Sequence, residues 1–259
     1  YILSHFTFNN SAPKGDAKAG DNICGRVMTF AEDGTPVYDF THVNNTFQEY
    51  VKRGMKPIVE FDFFPDGLCV TEEEVANDEG FSAVTGEIKD WGLWEELLNA
   101  FMKNLEEVFG PEELKTWYFE VWNEPDHWPE ELTQQLYKMY DLFAKVVKSY
   151  NREYKIGGPG CYKLFYLKEF LDHVTEGTNY FTGEIGTPLD FVSFHIYSMS
   201  GHWLRPAPEL VPAVNTIAID ILNWERLMRR YPTLTTAEIH LNEWGVVSHG
   251  DTKFTKDFL

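Results

Sequence analysis

The chain has 259 residues, 43% of them hydrophobic and 24% charged, the balance of a globular protein with enough length for one large core. Asp and Glu outnumber Lys and Arg 41 to 22, and the formal charge of −19 argues against nucleic acid and anionic membrane surfaces as partners. No apolar stretch approaches the roughly 18 residues that would suggest a membrane span, and none reads as a signal peptide, which leaves the compartment open.

In chain order, short apolar runs at residues 2–8, 57–64, 117–122, 155–158, 191–197 and 238–244 alternate with amphipathic stretches. The runs are rich in β-branched and aromatic residues and suit strands buried on both faces. The segment 11–35, with its Gly, Asp, Asn and Lys, is expected to be a long loop. Helical patterns follow at 43–53 and 91–109, the second stopping at the breaker pair Gly110-Pro111. The acidic stretch 71–90 is expected to be a solvated excursion. Further helical patterns cover 132–150, 164–174 and 214–230. Strand–helix alternation without an internal repeat or linker predicts one α/β domain over residues 1–259, a parallel sheet with helices outside. Cys24, Cys69 and Cys161 lie far apart and offer neither a disulfide framework nor a structural zinc site. Aromatic residues make up 16% of the chain; they suit stacking on sugar rings and equally suit core packing.

Two motifs carry the chemistry. Trp122-Asn123-Glu124-Pro125 and Asn242-Glu243-Trp244-Gly245 each end an apolar run. A carboxylate at that place is costly unless it has a task, and strand C-terminal ends are where barrel enzymes build their sites. Two carboxylates converging over one barrel mouth suit glycosidic cleavage. In a retaining enzyme they stand about 5–5.5 Å apart, one attacking the anomeric carbon and the other serving first as acid and then as base. The acid is expected to need a raised pKa while the nucleophile stays ionised.

The stretch Tyr118-Phe119-Glu120-Val121-Trp122-Asn123-Glu124-Pro125 resembles the acid/base strand of clan A glycoside hydrolases. Within the clan the chain resembles glycoside hydrolase family 39, which holds β-xylosidases and α-L-iduronidases. The residues that carry this are Tyr38-Asp39-Phe40-Thr41-His42, Lys56-Pro57-Ile58-Val59-Glu60-Phe61 and Gly157-Gly158-Pro159-Gly160. The stretches 178–184 and 189–195, with Asn123-Glu124-Pro125-Asp126-His127, resemble iduronidases in particular. The resemblance implies a (β/α)8 TIM barrel, with Glu124 the acid/base at the end of its fourth strand and Glu243 the nucleophile at the end of its seventh. It implies no metal and no organic cofactor. It further implies that Asn123 meets the sugar 2-hydroxyl, that His195 and Tyr197 face the sugar and the nucleophile, and that His5, Glu60, His127 and Trp244 belong to the substrate-binding set.

Where the iduronidase pattern has a Lys two positions after the sixth-strand His, this chain has Tyr197, as in the xylosidase pattern. Loss of that cation favours a neutral sugar. The implied activity is a retaining exo-glycosidase acting on β-xylosides or xylo-oligosaccharides. An α-L-iduronidase-like or other β-glycosidase of the family stays open, as does a non-catalytic carbohydrate-binding barrel. By the same count the six runs are strands two to seven, so the barrel reads as incomplete. Strands one and eight and the family's β-rich accessory region have no counterpart, and the chain begins at Tyr1 rather than Met. An isolated chain with two open sheet edges is expected to be poorly stable or to self-associate as a homo-oligomer.

Overall fold

The computed structural model describes residues 1–4, 7–8, 27–65, 67–69, 86–197 and 214–245. Six strands form one parallel sheet in sequence order: β1 (Ile2–Ser4), β4 (Pro57–Phe61), β5 (Tyr118–Val121), β6 (Lys155–Cys161), β7 (Phe191–Tyr197) and β8 (Glu238–Gly245). The crossovers carry α1 (Thr41–Lys52), α2 (Trp91–Phe109), α4 (Thr133–Tyr150), α5 (Leu164–Glu176) and α6 (Val214–Met228). This is an incomplete (β/α)8 barrel, six of its eight strands being present among the described residues.

Burial follows position in the sheet. Every residue of β4 and β5 is buried, because both have a strand on each side and helices behind. Among the described residues β8 pairs along one edge only, with β7, and most of it is half-buried or exposed.

The aromatic content goes largely into the layer between sheet and helices. Phe61 of β4 meets Phe8, Phe101 of α2, Phe119 of β5 and Phe143 of α4 at ring distances of 5.4, 5.4, 6.2 and 4.9 Å. Helix α2 begins where Asp90 accepts hydrogen bonds from the amides of Gly92 and Leu93 at 2.9 and 3.0 Å. It buries Trp94, Leu97, Leu98, Phe101, Met102 and Leu105 on one face.

One expected loop is partly a hairpin. Within and just beyond 11–35, β2 (Met28–Phe30) pairs antiparallel with β3 (Pro36–Tyr38). The turn rests on Asp33-Gly34: Gly34 takes φ +83°, and Asp33 Oδ1 accepts from the Thr35 amide at 3.0 Å. Residues 9–26, and residues 71–85 of the acidic stretch, lie outside the described residues. A short helix α3 (Pro111–Leu114) uses the breaker Pro111 as its first residue.

The segment after α5 is pinned by a buried carboxylate. Asp141 of α4 is fully buried and accepts from the Tyr180 amide at 2.8 Å and from the Thr187 hydroxyl, with His173 Nε2 at 3.1 Å. Asp141→Ala would strand these donors, so we expect a loss of about 3 kcal/mol in chemical denaturation. A change below about 1 kcal/mol would show that the cluster relaxes freely.

Candidate active site

The first carboxylate sits just past the end of β5, where the backbone turns sharply. Trp122 and Glu124 take φ of 59° and 46°, a left-handed conformation uncommon outside glycine and found at sites where function requires it. The Glu124 amide donates to the Gly160 carbonyl at 2.9 Å, fixing the turn to β6. Pro125–His127 then forms one 3-10 turn that folds His127 back, with its Nε2 3.0 Å from Glu124 Oε2. Buried Asp126 accepts from the amides of Tyr162 and Lys163 at 3.0 and 2.7 Å, and the His127 ring lies 4.9 Å from that of Tyr162.

The second carboxylate depends on a register shift. Phe194 pairs with Leu241, but His195 pairs with Glu243, so Asn242 is the extra residue of a β-bulge. Strict alternation would send Asn242 and Glu243 to opposite faces; the bulge lets both reach the site. The Tyr197 hydroxyl donates to Glu243 Oε2 at 2.7 Å. Between the two carboxylates stands His195, 1% exposed, with Nδ1 2.8 Å from Glu124 Oε1 and 3.5 Å from Glu243 Oε2.

Below them lie more acids. Glu60 and Glu120 are register partners on adjacent strands and both are fully buried. Glu120 accepts from the Ser193 hydroxyl, and from Asn242 Nδ2 at 2.8 Å. Among the described residues, Glu60, His195 and Glu243 each bring one ligand-type atom within 4.8 Å of the others, the spacing of a cation site. Glu243 is already engaged by the Tyr197 hydroxyl and His195 by Glu124.

The electrostatics correct one expectation. Burial alone would raise the Glu124 carboxyl, but hydrogen bonds from His127 and His195, with their charge, outweigh it and hold it down at about 2. The expected acid is therefore ionised in the unliganded site. His195 moves the other way. Burial disfavours its cation, yet the hydrogen bond to Glu124 and the charges of Glu243, Glu124 and Glu120 raise it above the usual imidazole value. Burial is also the main cause that lifts Glu120, to about 7.

Of the residues expected from sequence, Glu60, Glu124, His127, His195, Tyr197 and Glu243 meet in this one cluster. Asn123 adjoins it, and its Oδ1 is buried without a hydrogen-bond partner among the described residues. Trp244 follows Glu243 and is 70% exposed. His5 lies outside the described residues. Sequence reasoning missed Glu120, Ser193 and Asn242. A charged residue inside an otherwise apolar run was the available signal for Glu120.

Two carboxylates at the C-terminal strand ends of a parallel β/α barrel form the arrangement that glycoside hydrolases use. Comparison with known proteins agrees. The sequence profile of glycosyl hydrolases family 39 matches residues 21–244, and the chain belongs to that family. It is 33% identical over 168 residues to a β-xylosidase of Geobacillus stearothermophilus, covering 63% of this chain and 31% of that one. It is 26% identical over 174 residues to the α-L-iduronidase of Mus musculus, covering 61% and 24%. Among solved structures it is similar to a monomeric β-xylosidase from Caulobacter crescentus CB15, with a TM-score of 0.69 at 26% identity, covering 86% of this chain and 44% of that one. The chain thus spans less than half the length of each of these relatives.

Proposed function

We propose that the chain carries the catalytic centre of a retaining, exo-acting glycosidase that hydrolyses β-xylosides by double displacement. Glu243 is the nucleophile and Glu124 the acid/base. The observation that carries this is the single imidazole nitrogen shared by the pair. With His195 Nδ1 2.8 Å from one carboxylate oxygen and 3.5 Å from the other, those oxygens stand closer than the roughly 6.5–9.5 Å of an inverting pair. That spacing suits direct attack by Glu243 over attack by an intervening water. Tyr197 holds Glu243 in place through its hydroxyl, which burial and the Glu243 hydrogen bond keep protonated. The Oδ1 of Asn123, without a partner among the described residues, is suited to a sugar hydroxyl. Tyr197, a neutral residue at the position of the iduronidase Lys, supports a neutral sugar.

The test is labelling with a 2-deoxy-2-fluoro-xyloside bearing a good leaving group, followed by peptide mapping. The label is expected on Glu243, and a label on any other residue would sink the assignment. A second reading, an α-L-iduronidase-like activity, draws on the iduronidases among the relatives and on the 178–184 stretch. Turnover of an aryl iduronide above that of the matching xyloside would establish it. A non-catalytic sugar-binding barrel would instead bind xylose and turn over neither.

A further inference from the structure

The reaction as proposed has no task for Glu120, yet the structure invests heavily in it. It is fully buried in the middle of β5, where an acid is costly. Its two oxygens face two different strands. Oε1 takes the Ser193 hydroxyl from β7, and Oε2 takes Asn242 Nδ2 from β8 at 2.8 Å.

Each of these partners leads to one catalytic carboxylate. Asn242 is the bulge residue directly before Glu243, so its orientation and that of the nucleophile are set by the same irregular peptide. Ser193 Oγ accepts from the Gly160 amide at 2.9 Å, and the Gly160 carbonyl accepts from the Glu124 amide at 2.9 Å. The hydrogen bonds therefore run from the nucleophile's neighbour through Glu120, Ser193 and Gly160 to the backbone of the acid/base, across four strands. Gly160 shows how little slack there is. A Cβ there would lie 2.9 Å from Glu120 Oε1 and 3.4 Å from His195 Nε2, and its φ of +59° disfavours a side chain in any case.

Resting on the glycosidase reading, we propose that Glu120 is a positioning residue that sets the spacing of Glu124 and Glu243, through Asn242 on one side and Ser193 with Gly160 on the other. It touches neither substrate nor reacting atoms. Its effect should fall on turnover rather than binding, because misplacing catalytic groups by about 1 Å can cost on the order of 100-fold in rate.

The experiment uses Glu120→Ala, Glu120→Gln, Asn242→Ala and the Glu120→Ala/Asn242→Ala double variant in the full chain. Turnover is referred to sites titrated by the fluoro-sugar, so unfolded material does not count. Expected is a loss of about 100-fold in kcat for Glu120→Ala with KM changed less than about threefold. Glu120→Gln keeps an acceptor for Asn242 and should recover at least about tenfold of that loss. The double variant should be no worse than Glu120→Ala alone, since both act along one path. Losses that multiply in the double variant, or kcat per titrated site within about threefold in Glu120→Ala, would overturn the proposal. Crystal structures of the Glu120→Ala and Asn242→Ala variants decide the same point without activity. A carboxylate pair shifted in them supports the positioning role, and an unmoved pair refutes it. Failure to label Glu243 in the unsubstituted chain would count against the glycosidase reading alone.

Discussion

Replacing Glu243 with alanine is expected to lower turnover of an aryl β-xyloside by on the order of 10⁴–10⁶-fold while the protein stays folded. The size of the loss follows from the route. In the proposed route the glycosyl intermediate then has no carboxylate at residue 243 to bond to, and the neighbours are committed elsewhere: Tyr197 holds its proton, and His195 is turned toward Glu124. Stability should change little. Glu243 is half-buried on the least buried strand of the sheet, and its loss frees one hydroxyl and relieves a crowded patch of acids. Circular dichroism and titrated kinetics together check both halves of the expectation. Residual turnover within about tenfold of the unsubstituted chain would remove Glu243 from the nucleophile role.

How far the sequence reads into the fold depends on how local the signal is. Strands buried on both faces write themselves as apolar runs, so all six were legible in order. Their ends were not: among the described residues of the run 2–8, Ile2–Ser4 join the sheet while Thr7 and Phe8 lie in a turn. Helix α2 was legible at both ends, because Asp90 caps one and Gly110-Pro111 closes the other. The β2–β3 hairpin went unread although Asp33-Gly34 marked it. Three-residue strands are too short to show a period, and their surroundings read as loop.

The site divides the same way. Glu124 and Glu243 stand out because each ends an apolar run, and His127 is three residues from Glu124, within reach of one turn. Glu120 lies inside such a run, and its partners are 73 and 122 residues distant. Nothing local to residues 238–244 shows the bulge at Asn242, since a register shift exists only relative to β7. The low Glu124 pKa was likewise out of reach. Burial and hydrogen bonding act in opposite directions on that carboxyl, and only the distances to two imidazoles decide the outcome.

That low value leads to the second large effect. In the proposed reaction Glu124 delivers a proton to the leaving oxygen, yet its carboxyl is held at about 2. In mildly acidic solution the proton rests on His195, whose titration is raised above 6.5 and whose Nδ1 is 2.8 Å from Glu124 Oε1. The pair therefore holds one proton in common, and its apparent values belong to both residues. Glu124, lowered, contributes stability that is complete above its usual 4.5 and is lost as pH falls toward about 2. His195, raised, contributes stability that is complete below 6.5 and is lost as pH rises through its shifted value. Both contributions are full only between those limits, so the pair is expected to be most ordered in mildly acidic solution. Glu124→Ala should then cost about 10²–10⁴-fold with a poor alkyl leaving group and far less with dinitrophenyl xyloside, which departs without a proton. His195→Asn should move the basic limb of kcat/KM to lower pH, because Glu124 no longer borrows a proton from a group that titrates above 6.5. A basic limb that stays in place in His195→Asn would separate His195 from proton supply, and equal losses on both leaving groups in Glu124→Ala would separate Glu124 from acid catalysis.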